Sequence, residues 1–262
     1  MARRHSGWGR LLGGWGRFVS PLVILLAWQI ACDSGWFSPR LLASPLTVLA
    51  TAWRLLSSGV LEWHMLVSLR RVLFGVALGV AAGGGLALAA GLSRLGEAVV
   101  DAPVQMLRAL PFLALVPLFI LWFGIGETPK IAMVALGTAF PIYMTLFGGI
   151  RNVDRKLIEM GRTLGLSRAG LVWHVVLPGS LAPALVGLRY GLANAWLSLV
   201  VAEQINAQSG IGWLINDARD FLRTDVILVG LLVYALLGLA ADQIVRWLER
   251  AALAWRPQIL PA

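Results

Sequence analysis

The chain has 262 residues, of which 58% are hydrophobic and 13% charged, about half the charged share of an ordinary soluble domain. So little polar surface cannot cover a globule of this size, which excludes a water-soluble enzyme and leaves lipid as the solvent. A net charge of +9 would suit a nucleic-acid binder, but among long apolar runs a basic excess marks the loops of a membrane protein, and no nucleic acid is expected as a partner.

Six apolar stretches, 18–36, 72–92, 107–123, 131–150, 181–201 and 226–247, approach or reach the length that crosses about 30 Å of hydrocarbon. They predict an all-α integral membrane fold of about six transmembrane helices. The first follows Arg3, Arg4, Arg10 and Arg17, as a signal peptide would, and Ile30-Ala31 before Cys32 resembles a lipoprotein cleavage site. Gln29 stands where an aliphatic residue belongs and Trp28 interrupts the apolar core, so this helix is expected to be retained. Cys32, the single cysteine, excludes an intramolecular disulfide and a cysteine-based metal site. The segment 38–68 reads as short helices at the interface.

With the first terminus inside, seven basic residues fall in outer segments: Arg40, Arg54, Arg70, Arg71, Lys130, Arg219 and Arg223. Fourteen fall inside or at inner span ends, including Arg94, Arg108, Arg151, Arg155, Lys156, Arg162 and Arg168, and Arg189 is left deep inside a span. The asymmetry predicts both termini in the cytoplasm. Trp36, Trp63, Trp122, Trp213 and Trp247 lie near span ends, where an interfacial belt belongs.

The second span carries Gly75, Gly79, Gly83, Ala87 and Gly91, one small residue at every fourth position. On a helix these make a groove that another helix can enter, within the chain or from a second subunit. Pro103 precedes the third span, Pro111 and Pro117 lie in it, and Pro141 interrupts the fourth, so local disturbances are expected there. Non-helical backbone at membrane depth survives only inside protein or beside a water-filled cavity.

Between the fourth and fifth spans, 151–180 is too polar for lipid. Asp154 can cap a short helix over 155–164 that Gly165 ends in a left-handed conformation. Leu157, Ile158, Gly161 and Leu164 share one face of it; Lys156, Glu159 and Arg162 face more polar surroundings. Ser167 can cap a second short helix that Pro178 ends. Two short amphipathic helices on such a loop suggest a docking surface.

This loop carries a resemblance. Glu159-Met160-Gly161, three residues, Gly165, nine residues, then Val175-Val176-Leu177-Pro178 resembles the Glu-Ala-Ala…Gly…Ile-x-Leu-Pro loop of permease subunits in binding-protein-dependent ABC importers. Met160 and Gly161 replace the alanines and Val175 the isoleucine. Leu110-Pro111-Phe112-Leu113-Ala114-Leu115-Val116-Pro117, Leu121-Trp122-Phe123-Gly124, Ser209-Gly210-Ile211-Gly212-Trp213, the stretch 216–225 and Trp255-Arg256-Pro257 are similar to the nitrate, taurine and sulfonate branch, most of all to the aliphatic-sulfonate permeases. The resemblance implies the type I ABC importer permease fold: an N-terminal helix and outer segment over 1–64, a permease core over 65–250 and a cytoplasmic tail over 251–262. It implies a coupling helix formed by Leu157, Ile158, Glu159, Met160, Gly161, Leu164 and Gly165, with Leu177 and Pro178 closing the motif. It also implies a homodimer of this subunit in the bacterial cytoplasmic (inner) membrane, a dimer of ATPase subunits and a periplasmic substrate-binding protein. Taurine, nitrate or a pyrimidine precursor are alternative cargoes.

No Gly-Lys dipeptide occurs, so a phosphate-binding loop of the Walker type cannot be built; Mg-ATP is expected on the partner, and no cofactor or metal on this chain. Arg189 and Asn194 in the fifth span are candidates for a translocation pathway; Arg189 can equally snorkel or pair. Glu203, farther along, would repel an anion and reads as a structural hydrogen-bonding group. His5, His64 and His174 are isolated in sequence, and neither His-Glu-x-x-His nor Gly-x-Ser-x-Gly occurs, which argues against an intramembrane enzyme. A secondary transporter would ordinarily carry an inverted repeat and several buried ionisable groups, and neither is visible.

Overall fold

A computed structural model describes residues 8–38 and 40–255, with side chains from Val19 onward apart from Asn206. Arg3, Arg4, Arg10 and Arg17, which weighed in the orientation, and the tail beyond Trp255 lie outside these described side chains. Helices follow one another as α1 (Trp8–Asp33), α2 (Pro45–Ser57), α3 (Val60–Leu92), α4 (Arg94–Arg108), α5 (Val116–Phe123), α6 (Glu127–Arg151), α7 (Arg155–Thr163), α8 (Arg168–Leu171), α9 (Leu177–Asn206), α10 (Ile211–Asp220) and α11 (Thr224–Ala252). No strand occurs among the described residues.

The chain divides into two compact units. One comprises Met1–Glu62 with Leu214–Leu232; the other comprises Trp63–Trp213 with Val233–Ala262. In the first, Ser44 caps α2, accepting from the Thr47 amide at 3.3 Å. Gly59, at φ +74°, turns the chain toward α3. Thr51 donates to Asp225 at 2.7 Å and Arg54 stands 3.6 Å from the same carboxylate. The apolar side chains of α1 from Val19 to Ile30 are largely exposed, as lipid-facing residues are.

In the second unit, α6 is enclosed by helices that present small residues to it. A Cβ on Gly79 of α3 would lie 2.6 Å from the Ala135 carbonyl oxygen, and one on Gly91 2.8 Å from Ile150. Gly75 and Gly83 meet Val134 and Ala139 in the same way. The groove read in the sequence is therefore filled from within the chain, by α6. Toward α9, Gly149 of α6 meets Pro183, while Gly187 and Gly191 of α9 meet Thr145 and Thr138 of α6. Close approach of backbones is what gives membrane helices their packing energy, since lipid offers no hydrophobic drive between them. Val72, Val134, Ala195, Trp196 and Leu199 close the core where α3, α6 and α9 meet.

Four helices, Val60–Leu92, Glu127–Arg151, Arg168–Ile205 and Thr224–Ala252, are long and apolar enough to cross a membrane. The third expected span is different. Instead of one helix over 107–123, α4 and the segment Phe112–Phe123 meet at a bend of 97°. Pro111, with ψ 119°, stands outside helical backbone and opens a 3-10 turn, Phe112–Leu115, before α5. The proline signal was present; its effect is a break instead of a kink. Pro178 shows the converse. It does not end a helix: α8 runs through a π turn, Val172–Val176, into α9, so that Arg168–Ile205 is one continuous helical segment of 38 residues. A π turn re-registers the hydrogen-bond ladder where proline lacks its donor.

Candidate functional site

Three features of the second unit stand out from its lipid-facing helices. The first is a charge cluster, buried at Arg71, Lys130 and Glu203 and open at Glu127. Arg71, 2% exposed, donates through Nε and Nη2 to both oxygens of Glu127 at 2.6 Å, and through Nη1 to Glu203 at 2.7 Å and the Ser209 carbonyl at 2.6 Å. Glu203, 1% exposed, also accepts from Ser68 at 2.8 Å, the Gly212 amide at 2.8 Å and the Tyr234 hydroxyl at 3.1 Å. A carboxylate has about four lone-pair positions, and here they are filled. Lys130 joins through Glu127 at 3.6 Å and donates to the Gly126 carbonyl. Arg71, Lys130 and Glu203 are buried, whereas the Glu127 side chain is 58% exposed, so the buried cations are compensated partly by a carboxylate that water still reaches.

The cluster also explains Ser209-Gly210-Ile211-Gly212-Trp213. Gly210 has φ +113°, and a Cβ there would run into the Glu203 carboxylate; one on Gly212 would lie 2.6 Å from the Glu203 Cβ. The loop amides are then used one by one: Gly210 donates to His64 Nδ1 at 3.0 Å, Ile211 to Ser68 at 2.9 Å and Gly212 to Glu203. His64, read as an interfacial residue, is buried and stacked on Trp213 with ring centroids 5.1 Å apart. Arg71 and Lys130, read as charges in outer loops, are buried as well. The apolar run begins at Val72, whereas α3 starts at Val60 and carries Arg71 into the packed interior.

The second feature is a cavity of about 670 Å³ bordered by the end of α4, the 3-10 turn, α6 and α9. Its wall is mostly apolar, with Leu110, Phe112, Leu113, Phe140, Met144 and Leu197. Arg108, Thr145, Tyr190, Asn194 and Ser198 supply the polar groups. Of the two pathway candidates, Asn194 lines this cavity and Arg189 does not. Five residues apart on a helix is about 140° of rotation, and Arg189 instead faces α11, where it pairs with Glu249 and, at 3.3 Å, with Asp242.

The third feature is α7. Asp154 caps it through the Lys156 amide at 2.9 Å, and Gly165, at φ +82°, closes it, with the Leu166 amide returning to the Gly161 carbonyl at 3.0 Å. The expected single face is divided. Gly161 is buried and Ile158 half-buried, because Gly161 sits against Leu171 of α8, where a Cβ would approach to 2.7 Å. Leu157, Met160 and Leu164 are exposed, Leu164 by 75%, and Glu159 is exposed among them. Gly161 is thus small for the chain's own packing, while an apolar strip on a polar helix is left uncovered. Leu177 and Pro178 form the first turn of α9.

An all-helical, multi-spanning unit with a capped short helix between two close-packed spans is the architecture of a transporter's membrane subunit. Residues 75–253 match the family described as the binding-protein-dependent transport system inner membrane component, and the chain belongs to that family. It is 51% identical over 237 residues, 90% of each chain, to an aliphatic sulfonates transport permease protein of Escherichia coli (strain K12). It is 41% identical over 249 residues, 95% of this chain and 90% of the other, to the protein of the same description in Bacillus subtilis (strain 168). The taurine transport system permease protein of Escherichia coli (strain K12) is 34% identical over 251 residues, 90% of this chain and 88% of its own length. Among solved structures, an amino acid ABC transporter superposes with a TM-score of 0.61 at 18% identity, covering 72% of this chain and 92% of that one. The MetNI methionine ABC transporter superposes at 0.51 and 20% identity, covering 77% and 95%. These two share the fold, and the permease fold expected from the sequence is the one observed.

Proposed function

We propose that this chain is the membrane-spanning subunit of an ATP-driven importer of aliphatic sulfonates, working as a homodimer in the bacterial cytoplasmic membrane. The observation that carries the substrate is the 51% identity over nine tenths of the chain to a permease described for aliphatic sulfonates, against 34% to one described for taurine. The exposed strip Leu157, Met160 and Leu164, held between a capped start and a left-handed end, is the surface offered to the ATPase. On this reading α7 faces the cytoplasm, both termini lie on the same side, and the Ser209–Trp213 loop faces the periplasmic binding protein. Mg-ATP binds the partner, and closure of the ATPase dimer draws the two α7 helices together. The spans then open toward the binding protein, accept the anion, and return on hydrolysis.

The test is uptake of radiolabelled hexanesulfonate, taurine and nitrate by cells carrying this chain with its partner ATPase and binding protein. Hexanesulfonate uptake that requires all three and is not displaced by taurine or nitrate is expected. Preferred uptake of taurine or nitrate would reassign the cargo within the same family. Glu159→Ala is expected to lower uptake and substrate-stimulated ATP hydrolysis together; normal values of both would remove Glu159 from the coupling surface.

A further inference from the structure

An anion that crosses at membrane depth needs a counter-charge, and the described residues offer few. Arg71 is consumed by Glu127 and Glu203, and Lys130 lies buried against Glu127. Arg189 is held by Asp242 and Glu249. Arg108 differs: exposed at the end of α4 by the bend, it lines the cavity of about 670 Å³ and takes part in no ion pair among the described residues. Its placement follows from the break at Pro111. In an unbroken third span Arg108 would be a flanking charge, whereas the 97° turn sets it beside α6 and α9. The rest of the wall suits one chemistry. Asn194 and Ser198 supply neutral donors, and Phe112, Leu113 and Phe140 supply an apolar surface. A free cation, neutral donors and an apolar wall in one cavity match a molecule with an anionic head and a hydrocarbon tail.

We infer that Arg108 binds the sulfonate head of the cargo during passage, with the tail against Phe112, Leu113 and Phe140, and that Arg189 is a structural ion-pair residue. This rests on the sulfonate reading above. A guanidinium presents paired N–H groups to the oxygens of a tetrahedral anion, and hydrogen bonds between charged partners are the strong ones.

The experiment uses proteoliposomes holding the complete importer, with Mg-ATP enclosed on the ATPase side, and follows uptake of radiolabelled ethanesulfonate and hexanesulfonate delivered by the binding protein. Arg108→Gln is expected to lower kcat/KM for both by about 10- to 100-fold, with the ATPase still co-purifying, and Arg108→Lys to restore most of the loss. If Arg108→Gln does not assemble, Arg108→Cys in a Cys32→Ser background is treated with methanethiosulfonates. Recovery with the cationic aminoethyl reagent and not with the anionic sulfonatoethyl reagent supports the inference. Uptake by assembled Arg108→Gln equal to that of the parent, or the same response to both reagents, overturns it and leaves the sulfonate reading standing. A parent importer that hydrolyses ATP with its binding protein yet takes up neither sulfonate overturns both.

Discussion

The two ends of α9 are built on opposite plans. At its start, α7 and α8 are short, joined by turns, and leave Leu157, Met160, Leu164 and Trp173 uncovered. Near its other end, Glu203 is 1% exposed and takes donors from α3, α11 and the Ser209–Trp213 loop. One end gains its order from within the chain; the other presents a surface whose apolar residues cost free energy until something covers them. A helix built this way is anchored at one end and available to be gripped at the other.

Removing the anchor has the largest expected effect. Glu203→Ala leaves Ser68, Tyr234 and the Gly212 amide without their acceptor and Arg71 with Glu127 as its one carboxylate beside the Ser209 carbonyl. A loss of about 3–5 kcal/mol is expected, read as a lower unfolding temperature of the purified protein in detergent, with Glu203→Gln less severe because one carbonyl oxygen remains. Gly210→Ala follows at about 1–3 kcal/mol, since it adds both a strained φ and a contact with the carboxylate; the same thermal assay reads it. Gly165→Ala sharpens the contrast. Its φ is also positive, but the space around it is open, so only backbone strain of about 1 kcal/mol is expected. Smallest for stability is Leu157→Ser with Met160→Ser, within about 0.5 kcal/mol. Its effect is on assembly: co-purification of the ATPase should fall sharply while the unfolding temperature holds. If the double variant unfolds early and still retains the ATPase, α7 belongs to the core and the contrast is mistaken.

What was legible in the sequence was what is local or periodic. The small-residue stripe on α3 repeats every fourth position, so its face could be named before its occupant was known. Asp154 and Gly165 act within three or four residues of themselves, and both caps form as those residue types require. The charge cluster was hidden because its partners are far apart: Glu127 is 56 residues from Arg71, and Glu203 is 132. Arg70-Arg71 before an apolar run reads as a flanking pair, and nothing nearby tells one arginine from the other. One signal was available. Gly210 and Gly212 bracket a single residue, a spacing that marks a close approach by some other group, and the acid at 203 is the nearest charged residue before them. The cavity was missed for a related reason. Pro111 was visible as a disturbance, but whether a proline kinks or breaks a helix depends on what fills the corner, and that is tertiary.

The continuity of Arg168–Ile205 has a mechanical consequence. At a rise of about 1.5 Å per residue, its 38 residues form a strut of about 57 Å whose ladder is interrupted only in its first half, by the π turn beside α7 and by Pro178 and Pro183. A strut of fixed length cannot absorb an axial push; it tilts or it passes the displacement on. Since α6 lies against it glycine to side chain along Gly137, Gly149, Gly187 and Gly191, the two helices have little freedom to slide past each other. They travel as a pair, so any change in the width of the cavity has to come from the opposite wall, the bent corner between α4 and α5.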